Sequence, residues 1–300
     1  MRSAYRDPHH RRRPGMLLSD LNTLFEFIAA HPRSHARDSV FYRFMDGLAK
    51  HAFRESEGEF KARRPVPLGE FGSIVLPYDK MGAIDSIDLF GLDELLMFAF
   101  YRRNRSRYRK VVDIGANIGL HSILLSKCGY EVEAYEPDPV HYGKILRNLK
   151  LNNAAGCKVI KAAVSETDGT MQFVRVLGNT TSSHLAGAKS NPYGELERFD
   201  VEVRDVKEIA ARADLLKIDA EGHEAVILNA LPAETWKRVD AFVEIGTGDN
   251  AKSVFEHLSA LRVNLFSQKR GWQRVERLEQ MPSSYKEGGV FMSTKDAMPW

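Results

Sequence analysis

The sequence predicts an α/β fold: a doubly wound, mostly parallel seven-stranded sheet with helices on both faces and a mainly helical N-terminal extension. Three observations carry this. Short apolar runs at 111–113, 131–135, 158–164, 215–218 and 241–245 read as strands and alternate with helical patterns. The first run feeds a glycine-bracketed turn and then a helix, the opening of a nucleotide-binding α/β unit. At 300 residues the chain is long enough to bury a sizeable core.

Taken in order, residues 1–15 read as a disordered basic tail, with Arg2, Arg6, Arg11, Arg12 and Arg13 beside His9 and His10. A helix is expected from Ser19 or Asp20 as N-cap, with Leu21, Leu24, Phe25 and Ile28 as its apolar stripe, stopped by His31 and Pro32. A second helix is expected over 40–53, with Phe41, Phe44, Met45 and Leu48 forming a core or lid face. Residues 54–67, charged and carrying Pro65 and Pro67, read as a linker or surface loop. Residues 71–77 read as a strand, 78–88 as a loop, and 92–101 as a helix leading through a basic run into the first central strand. Residues 16–109 thus form an extension or lid, and 110–300 the ligand-binding domain.

Beyond the first strand–turn–helix, Asp138 can cap a helix over 140–151 with Pro139 in its first turn. Alternating strands at 170–176 and 198–204 flank a loop, 177–197, rich in Gly, Asn, Ser and Thr. Long loops in compact domains are commonly functional, and this one is assigned to an acceptor substrate. Strand 215–218 again ends in an acid and a glycine turn, and strands at 263–267 and 289–293 complete the pattern.

Composition excludes several classes. Lys+Arg number 43 against 40 Asp+Glu, so a nucleic-acid partner has no strong electrostatic footprint. The two cysteines, Cys128 and Cys157, oppose a disulfide scaffold and fit a reducing, cytoplasmic setting. No run approaches the roughly 18 to 20 apolar residues that span a bilayer. The stretch Met16-Leu17-Leu18 is too short for a signal-peptide core.

The chemistry concentrates at strand ends. In Asp113-Ile-Gly-Ala-Asn-Ile-Gly119, Gly115 and Gly119 let the backbone turn tightly and a ligand lie on it, and the helix start offers free N–H groups. Glu136, at the end of the next strand, can accept both hydroxyls of a ribose. A dinucleotide demands Gly-x-Gly-x-x-Gly, whereas Asn117 here occupies the middle glycine position and crowds a pyrophosphate. Asp113 suits a cation rather than a diphosphate. Both departures favour S-adenosylmethionine over a nicotinamide dinucleotide, because its methionine end carries an ammonium, a carboxylate and a sulfonium. Cofactor contacts are therefore expected from Asp113, Gly115, Ala116, Asn117, Gly119 and Glu136, with Ser165 near the adenine. Tyr78, Asp79, Asp93 and Glu94 precede the first strand and can pack over the ligand. Asp219, Glu221, His223 and Glu224 place four ionisable groups within six residues, and Asp113, Glu136 and Asp219 should converge on one crevice.

The Asp113–Gly119 motif, the pair Glu136-Pro137 and Lys217-Ile-Asp-Ala-Glu-Gly-His-Glu224 together resemble the FkbM-type family of S-adenosylmethionine-dependent methyltransferases, over roughly residues 110–293. The resemblance implies a class I methyltransferase fold and in-line O-methylation of a sugar, glycolipid, polyketide or other small-molecule hydroxyl. Lying at a strand end, Asp219 is the first candidate to orient or deprotonate the acceptor and His223 the second, with Glu221 beside them. His223 falls at a position that varies in the family. No metal is assigned; in a Mg-assisted alternative acting on a diol, Asp219, Glu244, Asp249 and Asn250 would supply hard oxygen ligands. A non-catalytic cofactor-binding subunit is the remaining alternative.

Overall fold

The computed structural model describes residues 21–189 and 194–300. The expected basic tail and the N-cap at Ser19 or Asp20 lie outside the described residues. Helix α1 (Leu21–Ala30) buries Leu21, Phe25 and Ile28, as its spacing requires. Helix α2 (Val40–Glu55) is capped by Ser39, whose hydroxyl accepts from the Tyr42 N–H at 3.0 Å. It buries Tyr42, Ala49, Ala52 and Phe53, while Phe44 and Leu48 of the expected face stay exposed. At roughly 100° per residue the two sets lie on opposite sides of the helix, and the small alanines let α2 pack closely on its neighbours. The linker or surface loop expected over 54–67 is confined to 62–65: α2 runs on to Glu55, and α3 (Glu57–Lys61) follows and drives Phe60 against Phe90. Strand β1 (Val66–Pro67) pairs with β2 (Ser73–Ile74), so the expected strand at 71–77 contracts to two residues. Helix α4 (Leu92–Arg103) buries every residue from Leu95 to Tyr101. Such a helix, apolar nearly all round, is enclosed on all sides. One apolar cluster joins Phe25, Phe53 and Phe98 of the extension to Val111, Phe242 and Phe291 of the sheet.

The central unit alternates β3 (Lys110–Ile114), α5 (Leu120–Lys127), β4 (Glu131–Tyr135), α6 (Pro139–Leu151) and β5 (Cys157–Ile160). Asp138 caps α6, accepting from the Val140 N–H at 2.7 Å. The chain then leaves this sheet through β6 (Ala163–Ser165), β7 (Gly169–Val176), β8 (His184–Leu185) and β9 (Leu196–Asp205), which form a second sheet in the order β6-β9-β7-β8. The strand expected at 158–164 is thus two strands in two sheets. The chain returns by α7 (Val206–Ala210), β10 (Leu215–Ile218), α8 (Glu224–Asn229), β11 (Asp240–Glu244), α9 (Gly248–Ala260), β12 (Asn264–Ser267), β13 (Gln273–Arg274) and β14 (Gly289–Ser293).

The main sheet runs β13-β12-β14-β11-β10-β3-β4-β5, parallel from β11 to β5 and antiparallel at β14, β12 and β13. It is the doubly wound α/β fold expected, with the two-residue β13 added at one edge. Strand order reverses between β3 and β10, and in open α/β sheets a ligand crevice opens at that reversal. Among the described residues no helix is long and apolar enough to cross a membrane.

Candidate functional site

A cavity of about 160 Å³ opens at the carboxyl ends of β3, β4 and β10. Gly115, Asn117, Glu136, Asp219, Glu221 and His223 line it, and Ala162, Val164 and Phe173 supply apolar wall. The turn after β3 takes left-handed backbone at Gly115 (φ +76°), Asn117 (φ +53°) and Gly119 (φ +86°). A Cβ on Gly115 would lie 1.8 Å from the Asp219 carbonyl oxygen, so this glycine lets the two strand-end loops touch. The Gly115 and Ala116 N–H groups both donate to the Tyr135 carbonyl, at 3.0 and 3.1 Å, which fastens the turn to β4.

Glu136 is knit into the same turn. Its Oε2 accepts from the Asn117 N–H at 2.8 Å and its Oε1 from the Asp138 N–H at 2.9 Å. Burial outweighs these donors and pushes its carboxyl up to about 8. Each oxygen keeps capacity for a further donor. Asn117 Oδ1 is buried with no hydrogen-bond partner, an arrangement that folded interiors seldom leave unused.

A second cavity, about 120 Å³, lies on the other side of Asp219, which lines both. Its walls come from α4 (Asp93, Glu94, Met97), His121, Lys217, β11 (Phe242, Glu244) and the segments carrying Gln268, Trp272 and Tyr285. Most of its polar groups are paired. Asp93 accepts from Gln268 Nε2 at 2.6 Å and faces Arg37 at 3.2 Å. Glu94 meets His121 Nε2 at 2.7 Å, and the other ring nitrogen meets the Tyr101 hydroxyl at 2.9 Å. Burial opposes ionisation of Glu94, but His121 holds its pKa below the usual range. The Glu244 side chain forms no hydrogen bond or ion pair among the described residues. Enclosure, together with the charges of Asp219, Glu221, Glu94 and Asp93, pushes its carboxyl well above the ordinary value, although its side chain still reaches water within the cavity.

Residues 113–271, more than half of the chain, match the methyltransferase FkbM domain. The chain belongs to the FkbM methyltransferase family. It is similar to methyltransferase sdnD of Sordaria araneosa, 32% identical over 164 residues that cover 43% of this chain and 62% of that protein. It is also similar to methyltransferase 1 of Beauveria bassiana (strain ARSEF 2860), 27% identical over 156 residues, 44% of this chain and 62% of that protein. The chain therefore spans about 62% of the length of the curated relatives it matches. Among solved structures, the methyltransferase FkbM of Methylobacillus flagellatus KT aligns with a TM-score of 0.36 and 14% identity, over 71% of this chain and 56% of that one.

Within this FkbM chain several expected contacts sit elsewhere. Asp113 lines neither cavity. It is fully buried, accepts from Ser122 Oγ at 2.6 Å and faces Lys217 Nζ at 3.4 Å. The β3/β10 register sets Asp113 directly opposite Lys217. Lys217 also lies 3.7 Å from Asp219 and donates to the Gly115 carbonyl at 3.2 Å. Burial works against the lysine's charge, but Asp113 and Asp219 prevail and raise its pKa. Asp113 therefore neutralises a protein cation and is not open to a ligand cation; Asp219 is the acid that faces the cavities.

Ala116 and Gly119 also lie outside the cavity walls: a Cβ on Gly119 would meet Ile145 at 2.4 Å, so that glycine serves the packing of α6. Ser165 is drawn off by β6 into the second sheet and stands behind the wall, its hydroxyl 2.8 Å from His223 Nε2. Burial lowers the pKa of His223, which lines the first cavity only. Glu221, in left-handed backbone (φ +52°), pairs with Lys189 at 2.6 Å. Burial and Asp219 push its carboxyl up to about 7 against the pull of that lysine.

Glu224 organises the loop after β10, accepting from the Ala220 and Gly222 N–H groups and from Asn250 Nδ2 at 3.1 Å. Asn250 spends its amide nitrogen there and on the Gly222 carbonyl at 3.0 Å. Among the described residues no group of three or more His, Cys, Asp or Glu is placed to hold a metal. The described part of loop 177–197 brings Thr180, Thr181 and Ser183 to the first cavity, beside Glu136, rather than to the second. Tyr78 and Asp79 line neither cavity, and Asp79 pairs with Arg147. Asp93 and Glu94 line the second cavity. His121, Gln268, Trp272 and Tyr285 had no local signal, because each reaches the second cavity only through tertiary packing.

Proposed function

We propose that this chain binds S-adenosylmethionine in the first cavity and transfers its methyl group to a hydroxyl of a small acceptor, a sugar or glycolipid among the candidates, held in the second. One observation supports this above the others: Asp219 forms the wall between a cavity with ribose-accepting chemistry and a cavity lined by carboxylates. The residues present fit the cofactor. Glu136 would take the ribose hydroxyls, the unpartnered Asn117 Oδ1 would accept from the ammonium, and Ala162, Val164 and Phe173 would cover the adenine. Asp219 would face the positive end. When bound, the cofactor supplies a methyl group already activated by its sulfonium.

What remains for the protein is alignment and proton removal. Holding the acceptor in one geometry supplies much of such an acceleration. On this reading Asp219 orients the acceptor hydroxyl and receives its proton, a contribution of roughly 10²–10⁴-fold. Glu221 and His223 then serve as walls of the cofactor cavity, the first fixed by Lys189 and the second by Ser165. The extension carries α4 and acts as a lid that brings Asp93 and Glu94 to the acceptor.

The test is incubation with methyl-labelled S-adenosylmethionine and hydroxyl acceptors drawn from sugars, glycolipids and phenols. Label recovered as a methyl ether, and lost in Asp219→Asn, is the expected result. Cofactor binding without transfer to any acceptor would favour the non-catalytic alternative, and transfer unaffected by Asp219→Asn would contradict the assignment.

A further inference from the structure

Helix α2 carries an apolar stripe that does not serve the core. Val40, Phe44 and Leu48 follow at i, i+4 and i+8 and are 83%, 71% and 39% exposed. Phe27 of α1, also exposed, packs beside them through Phe41 with ring centroids 5.1 Å apart. The opposite face of α2, with Tyr42, Ala49, Ala52 and Phe53, holds the helix in place. Scattered exposed apolar residues need no explanation; a continuous aromatic and aliphatic stripe on one helix face does.

Cations border the stripe. Arg43 lies one turn from Val40 and next to Phe44, and its guanidinium bonds the Asp38 backbone carbonyl at 2.6 Å. At the same end of α2 a concavity is lined by Arg37, Asp38, Arg43, Lys269, Lys286 and Glu287, four positive and two negative charges. Lys269 takes up Glu287 at 3.0 Å. Lys286 lies over the Tyr285 ring, and neither it nor Arg43 has a carboxylate partner among the described residues.

We propose that this face, the α2 stripe together with the basic concavity, binds an anionic lipid surface. Val40 and Phe44 protrude rather than line a groove, which suits insertion among headgroups better than reception of a partner's side chain. Amphipathic helices bind membranes by burying such a face at the headgroup–acyl boundary while neighbouring cations meet anionic lipid. The face also borders the second cavity: Tyr285 lines that cavity, and Arg37 both donates to the Tyr285 carbonyl at 2.6 Å and pairs with Asp93. Docking there turns the second cavity toward the lipid, where a membrane-borne acceptor would be presented. That last consequence rests on the methyl-transfer reading; the lipid contact does not.

The experiment is co-sedimentation of the full chain with phosphatidylcholine vesicles, with and without phosphatidylserine. The chain is expected to sediment with the mixed vesicles, less so as salt rises, and at least ~10-fold more weakly with phosphatidylcholine alone. Val40→Glu with Phe44→Glu should weaken binding at least ~10-fold while circular dichroism and S-adenosylhomocysteine affinity stay unchanged. Should that pair perturb the fold, Val40→Ser with Phe44→Ser serves in its place. Arg43→Glu with Lys286→Glu should weaken binding to mixed vesicles and flatten its salt dependence. Wild-type chain left in the supernatant would overturn the proposal. So would undiminished binding by the α2 variants, which would place the contact on another segment such as residues 1–20. A dimer that forms without vesicles and is lost in the same variants would assign the stripe to a second copy and overturn it equally.

Discussion

The two cavities on either side of Asp219 are built on different principles. The first is knit from backbone: Glu136 accepts from two N–H groups of adjacent turns, and Glu224 holds the next loop by the same means. Its shape follows from two short motifs, each local in sequence. The second is assembled from side chains that meet only in the fold, with Asp93 held by Gln268 and Arg37, and Glu94 by His121. It also keeps one carboxylate, Glu244, unpaired. A backbone-built cavity is rigid and carries a conserved ligand chemistry easily; a side-chain-built one can be re-cut to suit different acceptors without disturbing it.

The largest expected effect comes from the residue both cavities share. Asp219→Asn should lower the rate of methyl transfer by roughly 10²–10⁴-fold, with S-adenosylhomocysteine affinity changed far less; equal losses in both would erase the distinction between the cavities. Next is the buried pair beneath it. Lys217→Met leaves Asp113 uncompensated and should cost about 3–5 kcal/mol of stability in urea denaturation, whereas an unchanged midpoint would mean that Asp113 is not held by this lysine.

Glu136 tests the first cavity alone. Removing two or more charge-assisted hydrogen bonds by Glu136→Ala should weaken S-adenosylhomocysteine binding by about 3 kcal/mol, near 100-fold. The free protein's Glu136 carries a proton until about pH 8, and ligand hydroxyls favour the carboxylate. Binding therefore releases that proton below pH 8, so affinity should rise from pH 6 to 8 and then level off. A calorimetric series showing the same slope in Glu136→Gln would assign the titration elsewhere. Glu244 gives the smallest and most selective effect. Its raised folded-state pKa means that the native protein keeps a proton which the unfolded chain releases, so this group's contribution to stability falls as pH rises above the ordinary carboxylate range. Glu244→Gln should remove that decline in melting temperature above the ordinary carboxylate range and alter acceptor KM, leaving cofactor affinity untouched.

The same contrast explains what could be read from the sequence. The glycine turn, Glu136 at the second strand end, the Asp138 cap and the acid of β10 are local patterns, and each lies where its spacing places it. Asp113 stands behind the first cavity rather than on its wall, because the β3/β10 register sets Lys217 opposite it, which no local pattern reveals. Ser165 stands behind the cavity wall because the chain departs from one sheet to another after Ile160, which nothing local marks. On α2 two faces are apolar enough to be buried; the choice falls to the alanine-bearing face because close packing against neighbouring elements decides it. The second cavity had little local signal beyond Asp93, Glu94, Asp219 and Glu244, since its walls come together from six separate stretches.

The central claim is that the first cavity takes S-adenosylmethionine, and isothermal titration of the purified chain with S-adenosylhomocysteine and, separately, NAD tests it most directly. The account predicts binding of S-adenosylhomocysteine alone, weakened in Glu136→Ala. Binding of NAD, or of neither ligand, would contradict it.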